Sequence, residues 1–269
     1  MHDVRKVDVM ENILDENDHI AEHIKEHMRQ HGIMVINEMG SPGAGKTTVL
    51  KNIIQNLSDM KTFVIEGDIE SDIDTVALKE LGIQAVQINT FGACHLDAPM
   101  IDHTLDHMDF GQGPHHDHDH DHHHDHDHHH DHDYDHDHHH PHHHDQHQDG
   151  NHPHHHDIQQ PVEGILYIEN VGNLVCPAEF SIGEHVKMLI STVTEGSDKP
   201  YKYPLAFEKA DVIVLNKVDL IPHLDFDEAF FMKGVRALNK EVPVFKVSHK
   251  TGEGYPQLAQ WIREKARSL

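Results

Sequence analysis

The residues Gly40-Ser41-Pro42-Gly43-Ala44-Gly45-Lys46-Thr47 carry the spacing G-x-x-x-x-G-K-[ST]. Glycines at these positions let backbone N–H groups turn inward around phosphate oxygens, at the positive end of the helix that follows. Lys46 would reach the β and γ phosphates, the Thr47 hydroxyl would ligate Mg²⁺, and Thr48 closes the contact set. Much later comes Asn216-Lys217-Val218-Asp219. The Asp219 carboxylate can accept two hydrogen bonds from N1 and N2 of guanine. Adenine offers no such donor pair and would leave the carboxylate unpaired. Lys217 is expected over the base plane. Ser248-His249-Lys250 follows another strand and offers a backbone N–H to guanine O6.

Two acidic segments complete this set. Glu66-Gly67-Asp68 ends a strand-like run and places Asp68 to meet Mg²⁺. Glu169-Asn170-Val171-Gly172 ends another, as a carboxylate-x-x-Gly loop that senses the γ-phosphate. Lys46, Asp68 and Glu169 are therefore the residues expected to serve phosphate chemistry. No glutamine or arginine is clearly placed for the transition state, so slow hydrolysis is expected.

A different chemistry is suggested by Cys94-His95 and by Cys176, seven residues beyond Glu169. Thiolate with imidazole suits Ni²⁺ or Zn²⁺ far better than Mg²⁺. Spacing alone leaves two readings open, a metal site or an inert cysteine beside a surface histidine. Adjacent residues seldom chelate one ion well, so a second subunit on a twofold axis is expected to complete any such site.

The elements that must position these residues alternate along the chain. Strand-like runs occupy 33–36, 62–66, 83–89, 164–169, 211–216 and 242–247. Helical periodicity marks 7–30, 47–57, 72–81, 226–240 and 255–267. Such alternation indicates an α/β fold, a mostly parallel sheet with helices on both faces. The motifs fall at strand carboxyl ends, where ligands bind in such sheets. His19, His23, His27 and His31 share one face of the first helix and read as a solvated polar face.

Composition bounds the rest. The chain has 269 residues, 47 acidic and 21 basic, with a formal net charge of −26. That balance argues against nucleic-acid binding and for attraction of cations. No apolar run is long enough for a bilayer, and two cysteines make no disulfide framework, so a cytoplasmic protein without membrane contact is expected. Residues 114–157 hold 24 of the 35 histidines and 12 aspartates. We read 111–157 as a His/Asp-rich insert within one domain spanning 1–269. His115, His116, His118, His120, His122, His123 and His124 open a series of labile sites for Ni²⁺, Zn²⁺, Cu²⁺ or Co²⁺.

The segments GSPGAGKTT, EGD, GACHLDA, ENVGNLVCPA, TVTEG, NKVDL and SHKTGEG occur here in the order seen in the hydrogenase maturation GTPases of the HypB family. The chain resembles that family over about 12–110 and 158–265; GACHLDA and ENVGNLVCPA are specific to it, whereas the P-loop and NKxD are widely shared. The resemblance implies a SIMIBI-type P-loop fold and a GTP-dependent homodimer, with nickel or zinc held by Cys94, His95 and Cys176 at the subunit interface. It further implies nickel delivery to the hydrogenase large subunit with a HypA-like nickel-binding partner. By the same similarity Lys202 reaches the guanine held by the other subunit. Three features depart from the family. No cysteine precedes Cys94, so an N-terminal CxxCGC motif is absent; the histidine tract interrupts the middle of the chain; and Thr75-Val76-Ala77 lacks an arginine common after Asp74. Two rival readings are an accessory GTPase for another nickel enzyme such as urease, whose Cys-Pro-His motif is missing here, and a histidine-rich nickel store.

Overall fold

Alternation of apolar side chains decides which face of the sheet each strand residue serves. In the computed structural model, which describes residues 4–68, 76, 78, 79, 82–110 and 161–269 (side chains from Leu14 onward), β1 (Ile33–Gly40) is buried along its whole length. Met34 and Ile36 join one core with α2 (Lys46–Asn56) and α8 (Tyr255–Arg267). Ile33 and Val35 join the opposite one, with α1 (Val4–Gln30) and α3 (Ala98–Leu105). A strand covered on both faces must be apolar almost throughout, as this one is.

The other strands are β2 (Lys61–Asp68), β3 (Gln84–Asn89), β4 (Gly164–Glu169), β5 (Val186–Thr192), β6 (Val212–Asn216) and β7 (Val244–Val247). They form one seven-stranded sheet in the order β3-β2-β4-β1-β5-β6-β7, and every pairing is parallel. The expected α/β architecture is thus the observed one. Short helices α4 (Cys176–Glu179), α5 (Lys199–Lys202) and α6 (Pro204–Lys209) precede α7 (Glu228–Leu238). A third core, from Leu189, Ile213 and Leu215 with Phe207 and Phe231, fixes α6 and α7 on the sheet.

Two elements escape the periodicity. β5 reads VKMLIST, with only Met188, Leu189 and Ile190 in an unbroken apolar run. It is nonetheless central, with Ser191 and Thr192 buried, and it joins β1 to β6. Its polar end is tolerated because Thr192 Oγ1 finds the Asn216 carbonyl at 3.4 Å. α3 begins at Asp97, whose carboxylate accepts from the Met100 N–H at 2.9 Å, with proline in the first turn. Of the helix expected over 72–81, Val76, Leu78 and Lys79 are helical; the rest lies outside the described residues, as does the 111–157 insert. The described residues up to 110 and from 161 pack as one unit.

Candidate nucleotide and metal site

The chain leaves β1 at the centre of the sheet and turns through Gly40–Gly45 into α2, so the loop's N–H groups lie at a helix N-terminus. Gly45 has φ +92°, and a Cβ there would lie 2.6 Å from Asn216 Nδ2. Only glycine satisfies both the left-handed backbone and that close approach. Asn216 uses the space to donate to the Ala44 carbonyl at 2.9 Å. Lys217, itself left-handed at φ 62°, donates through Nζ to the Gly43 carbonyl at 2.7 Å. The sequence leads one to expect Lys217 over a base; in the structure its side chain clamps the phosphate loop.

The two loop residues expected at phosphate and Mg²⁺ both face one carboxylate. Thr47 Oγ1 donates to Glu169 Oε1 at 3.0 Å, and Lys46 Nζ stands 3.9 Å from the same oxygen. Both groups therefore already point to where the chain presents negative charge. Asp68 ends β2 and its side chain lies outside the described residues. Across the sheet, Glu66, Glu169 and Glu38 stand in register on β2, β4 and β1. Glu38 is fully buried and neither of its oxygens has a hydrogen-bond partner among the described residues. Burial pushes its carboxyl well above the usual range; Glu169 adds to the rise, and Lys46 opposes it.

At the far end of the loop, the Ser248 hydroxyl donates to Asp219 Oδ1 at 2.6 Å. That bond is the main reason the Asp219 carboxyl lies below its ordinary value. It leaves an ionised, acceptor-only group at the mouth of the site. Ser248 is buried, while His249 and Lys250 are exposed.

Two lysines of α5 differ in what they reach. Lys202 is exposed and pairs with Asp198 at 2.6 Å; nothing in the single chain brings it to the nucleotide loop. Lys199, which the sequence did not single out, donates to Ser41 Oγ at 3.3 Å and pairs with Glu195 at 3.4 Å. Its only sequence signal is its place just after TVTEG.

Cys94, His95 and Cys176 converge. Their ligand atoms all lie within 4.8 Å of one another, the only such group of three or more among the described residues. Cys94 Sγ is 3.4 Å from His95 Nδ1 and 3.0 Å from Cys176 Sγ, and both cysteines are free thiols. Cys94 and His95 follow the turn after β3, in which Phe91 has φ 49° and Gly92 φ 92°. The His95 ring lies against Phe180 with centroids 4.2 Å apart, and burial lowers its pKa. It thus favours the neutral form that ligates metal. The Cys176 thiol is raised, first by its hydrogen bond with Cys94. Two thiols this close can give up their protons to a thiophilic cation that both sulfurs bind.

Asparagines that the sequence reading passed over hold these parts together. Asn170 Oδ1 accepts from Leu96 N–H at 3.1 Å, and its Nδ2 donates to Asn37 Oδ1 at 3.3 Å. Asn173 forms an antiparallel bridge with Gly40, and its Nδ2 donates to the Cys94 carbonyl at 3.2 Å. Gly172 packs so closely that a Cβ would lie 3.0 Å from Pro42. The segment from Glu169 to Cys176 therefore touches the phosphate loop at one end and forms part of the cysteine cluster at the other. The residues of the tract, His115, His116, His118, His120, His122, His123 and His124, lie outside the described residues.

The parallel sheet, the phosphate loop ahead of α2 and the Asn216–Asp219 loop define a P-loop nucleotide-binding protein of the GTPase class. The CobW/HypB/UreG nucleotide-binding domain family matches residues 33–120. The chain is 36% identical over 262 residues to hydrogenase maturation factor HypB of Azotobacter vinelandii, covering 97% of this chain and 70% of that protein. It is 41% identical over 262 residues to that of Cupriavidus necator, covering 96% and 69%. The crystal structure of HypB from Helicobacter pylori in complex with nickel superimposes with a TM-score of 0.71 at 29% identity, over 94% of this chain and 96% of that one. The chain belongs to the hydrogenase maturation factor HypB family. Among the described residues no helix is long and apolar enough to cross a membrane.

Proposed function

We propose that this chain is a GTP-hydrolysing nickel metallochaperone that assists nickel insertion into [NiFe]-hydrogenase. GTP sits on the Gly40–Thr48 loop with guanine at Asp219, and Mg²⁺ is held by Thr47 and Asp68. Ni²⁺, or Zn²⁺ in its place, is held by Cys94, His95 and Cys176. The observation that carries this reading is the short Glu169–Cys176 segment, which packs against Thr47, Pro42 and Gly40 and ends at Cys176, whose Sγ lies with the donor atoms of Cys94 and His95. When the γ-phosphate leaves, Thr47 and Lys46 re-form their contacts with Glu169. The segment shifts, and a ligand displaced by even a fraction of an ångström weakens its metal bond.

Dimerisation completes the site. Cys94 is exposed, as are Phe91, three residues before it and 92% exposed, and Val175, next to Cys176 and 53% exposed. Exposed apolar side chains around an incomplete ligand set suit a partner that brings the same residues about a twofold axis. A HypA-like protein and the hydrogenase large subunit are the further partners. Residues 111–157 act as a reservoir whose imidazoles load and release metal with modest selectivity.

The test measures nickel stoichiometry and oligomer mass of the full-length chain with GDP and with a non-hydrolysable GTP analogue, beside Cys94→Ala and Cys176→Ala. The reading requires a dimer that needs the analogue, and a nickel increment that needs both the analogue and the two cysteines. Equal nickel uptake and equal mass in both nucleotide states would overturn it.

A further inference from the structure

On sequence alone the histidine row of α1 is a solvated face. In the structure its last two members point at one another: His31 Nε2 lies 3.1 Å from His27 Nε2. The rings meet edge to face, with centroids 4.7 Å apart. Two nitrogens bound to one ion through metal–nitrogen bonds of about 2.0–2.1 Å are separated by about 2.8–3.4 Å in square-planar or tetrahedral geometry. The observed spacing falls inside that interval without any movement of the helix.

Both rings are held in place. His31 lies beside Phe110, centroids 6.4 Å apart, and Phe110 packs on Phe63 at 4.9 Å. His27 is stacked on His23 one turn earlier, centroids 6.2 Å apart. His27 and His31 are partly exposed and His23 is exposed, so an ion and its waters have access. Arg29, between the two histidines in the sequence, pairs with Glu26 at 3.6 Å. Four residues along a helix place two side chains on one face, and a fixed backbone means little entropy is lost on chelation.

We propose that His27 and His31 form a second transition-metal site, on α1, which takes a divalent first-row ion such as Ni²⁺, Cu²⁺ or Zn²⁺ through both Nε2 atoms. The ring that donates the Nε2···Nε2 hydrogen bond moves its proton to Nδ1, which leaves an Nε2 lone pair on each ring for the ion. Water, or His23 from the preceding turn, fills the remaining positions. The site is independent of the Cys94, His95 and Cys176 cluster, and its failure would leave that assignment untouched.

The test is residue-resolved acylation of histidine by diethyl pyrocarbonate in the full-length chain, read by peptide mass spectrometry over a Ni²⁺ titration. Reading each peptide separately keeps the many other histidines from masking the pair. His27 and His31 should lose reactivity together, at one midpoint. His27→Ala should raise the midpoint for His31 by about tenfold or more, because the remaining imidazole has lost its chelate partner. His27→Gln, which keeps a polar side chain on the helix, should do the same and controls for loss of folding. Unchanged His31 labelling with Ni²⁺, or a His31 midpoint that neither variant moves, would overturn the site and leave the contact an imidazole–imidazole hydrogen bond.

Discussion

Asn173 Nδ2 donates to the carbonyl of Cys94 at 3.2 Å, although 79 positions separate them in the chain. The same residue bridges Gly40 through its backbone, so one asparagine touches both the phosphate loop and the turn that carries a metal ligand. Asn173→Ala removes this tie and no ligand. Coupling between two sites commonly amounts to about 5–150-fold in affinity. We expect the ratio of nickel affinities between GTP-analogue and GDP states to fall severalfold in this variant, with the affinity in GDP little changed. Competition with a coloured chelator reads both values. By linkage, the effect of nickel on GTP affinity must shrink by the same factor. An unchanged ratio would show that coupling runs by another route.

Asp219→Asn exchanges a two-fold acceptor for a group with one acceptor and one donor. Guanine should bind roughly 10–100-fold more weakly, the equivalent of about 1–3 kcal/mol for a mispaired polar group. Xanthine nucleotide, with a C2 carbonyl able to accept from the new amide, should gain. Equal losses for both bases in competition binding would remove Asp219 from the base contact. The Ser248 hydroxyl, now 2.6 Å from Oδ1, can still donate to the amide oxygen, so the loop is expected to keep its shape.

What was legible in the sequence were features that repeat a strict local rule. The phosphate loop needs Gly45 where φ is +92°, and β1 needs apolar residues on both faces, so both are written plainly. β5 was not legible, because Thr192 is buried on the strength of a hydrogen bond to Asn216 rather than on hydrophobicity. Nor could spacing reveal that Cys94 and Cys176 sit 3.0 Å apart, because that depends on the distant pairing of β2 with β4 and on Asn170 pinning Leu96. Lys199 and Asn173 act through contacts more than 78 positions away, which local patterns do not encode.

Lys199 and Lys202 offer a contrast three residues apart. Lys199 is largely buried against the loop residue Ser41 and the Tyr203 ring, its Nζ 4.8 Å from the ring centroid. Lys199→Ala should weaken nucleotide binding by about tenfold in the monomer, the equivalent of about 1–1.5 kcal/mol for a lost charged hydrogen bond. Lys202→Ala, at an exposed pair with Asp198, should leave monomer affinity unchanged and lower it only where dimers form. Titrations of a fluorescent GTP analogue below and above the dimerisation concentration separate the two. A Lys202→Ala loss already present in the monomer would contradict a role across the interface.

His185 gives the fold a sensitivity to acid. Its Nδ1 accepts the Val35 N–H at 2.9 Å, and the backbone N–H of His185 donates to the Val35 carbonyl at 2.9 Å, so the residue seals the start of β5 against β1. Accepting at Nδ1 requires the ring to stay neutral there. Burial, helped by Lys25 and Arg29, pushes its pKa down to about 4 from 6.5. Above pH 6.5 neither folded nor unfolded chain holds this proton, so its contribution is intact. As pH falls from 6.5 toward 4 the unfolded chain takes up the proton and the folded chain does not. Stability is lost through that window, by up to about 3 kcal/mol. His185→Asn can keep the acceptor through Oδ1 and has no proton to take up. Urea unfolding of wild type and variant at pH 7.5, 6.5, 5.5 and 4.5 should show the wild type ahead at the top of this range and its lead shrinking or reversing at the bottom. A difference between the two chains that stays constant across the window would mean that His185 is not the group that titrates there.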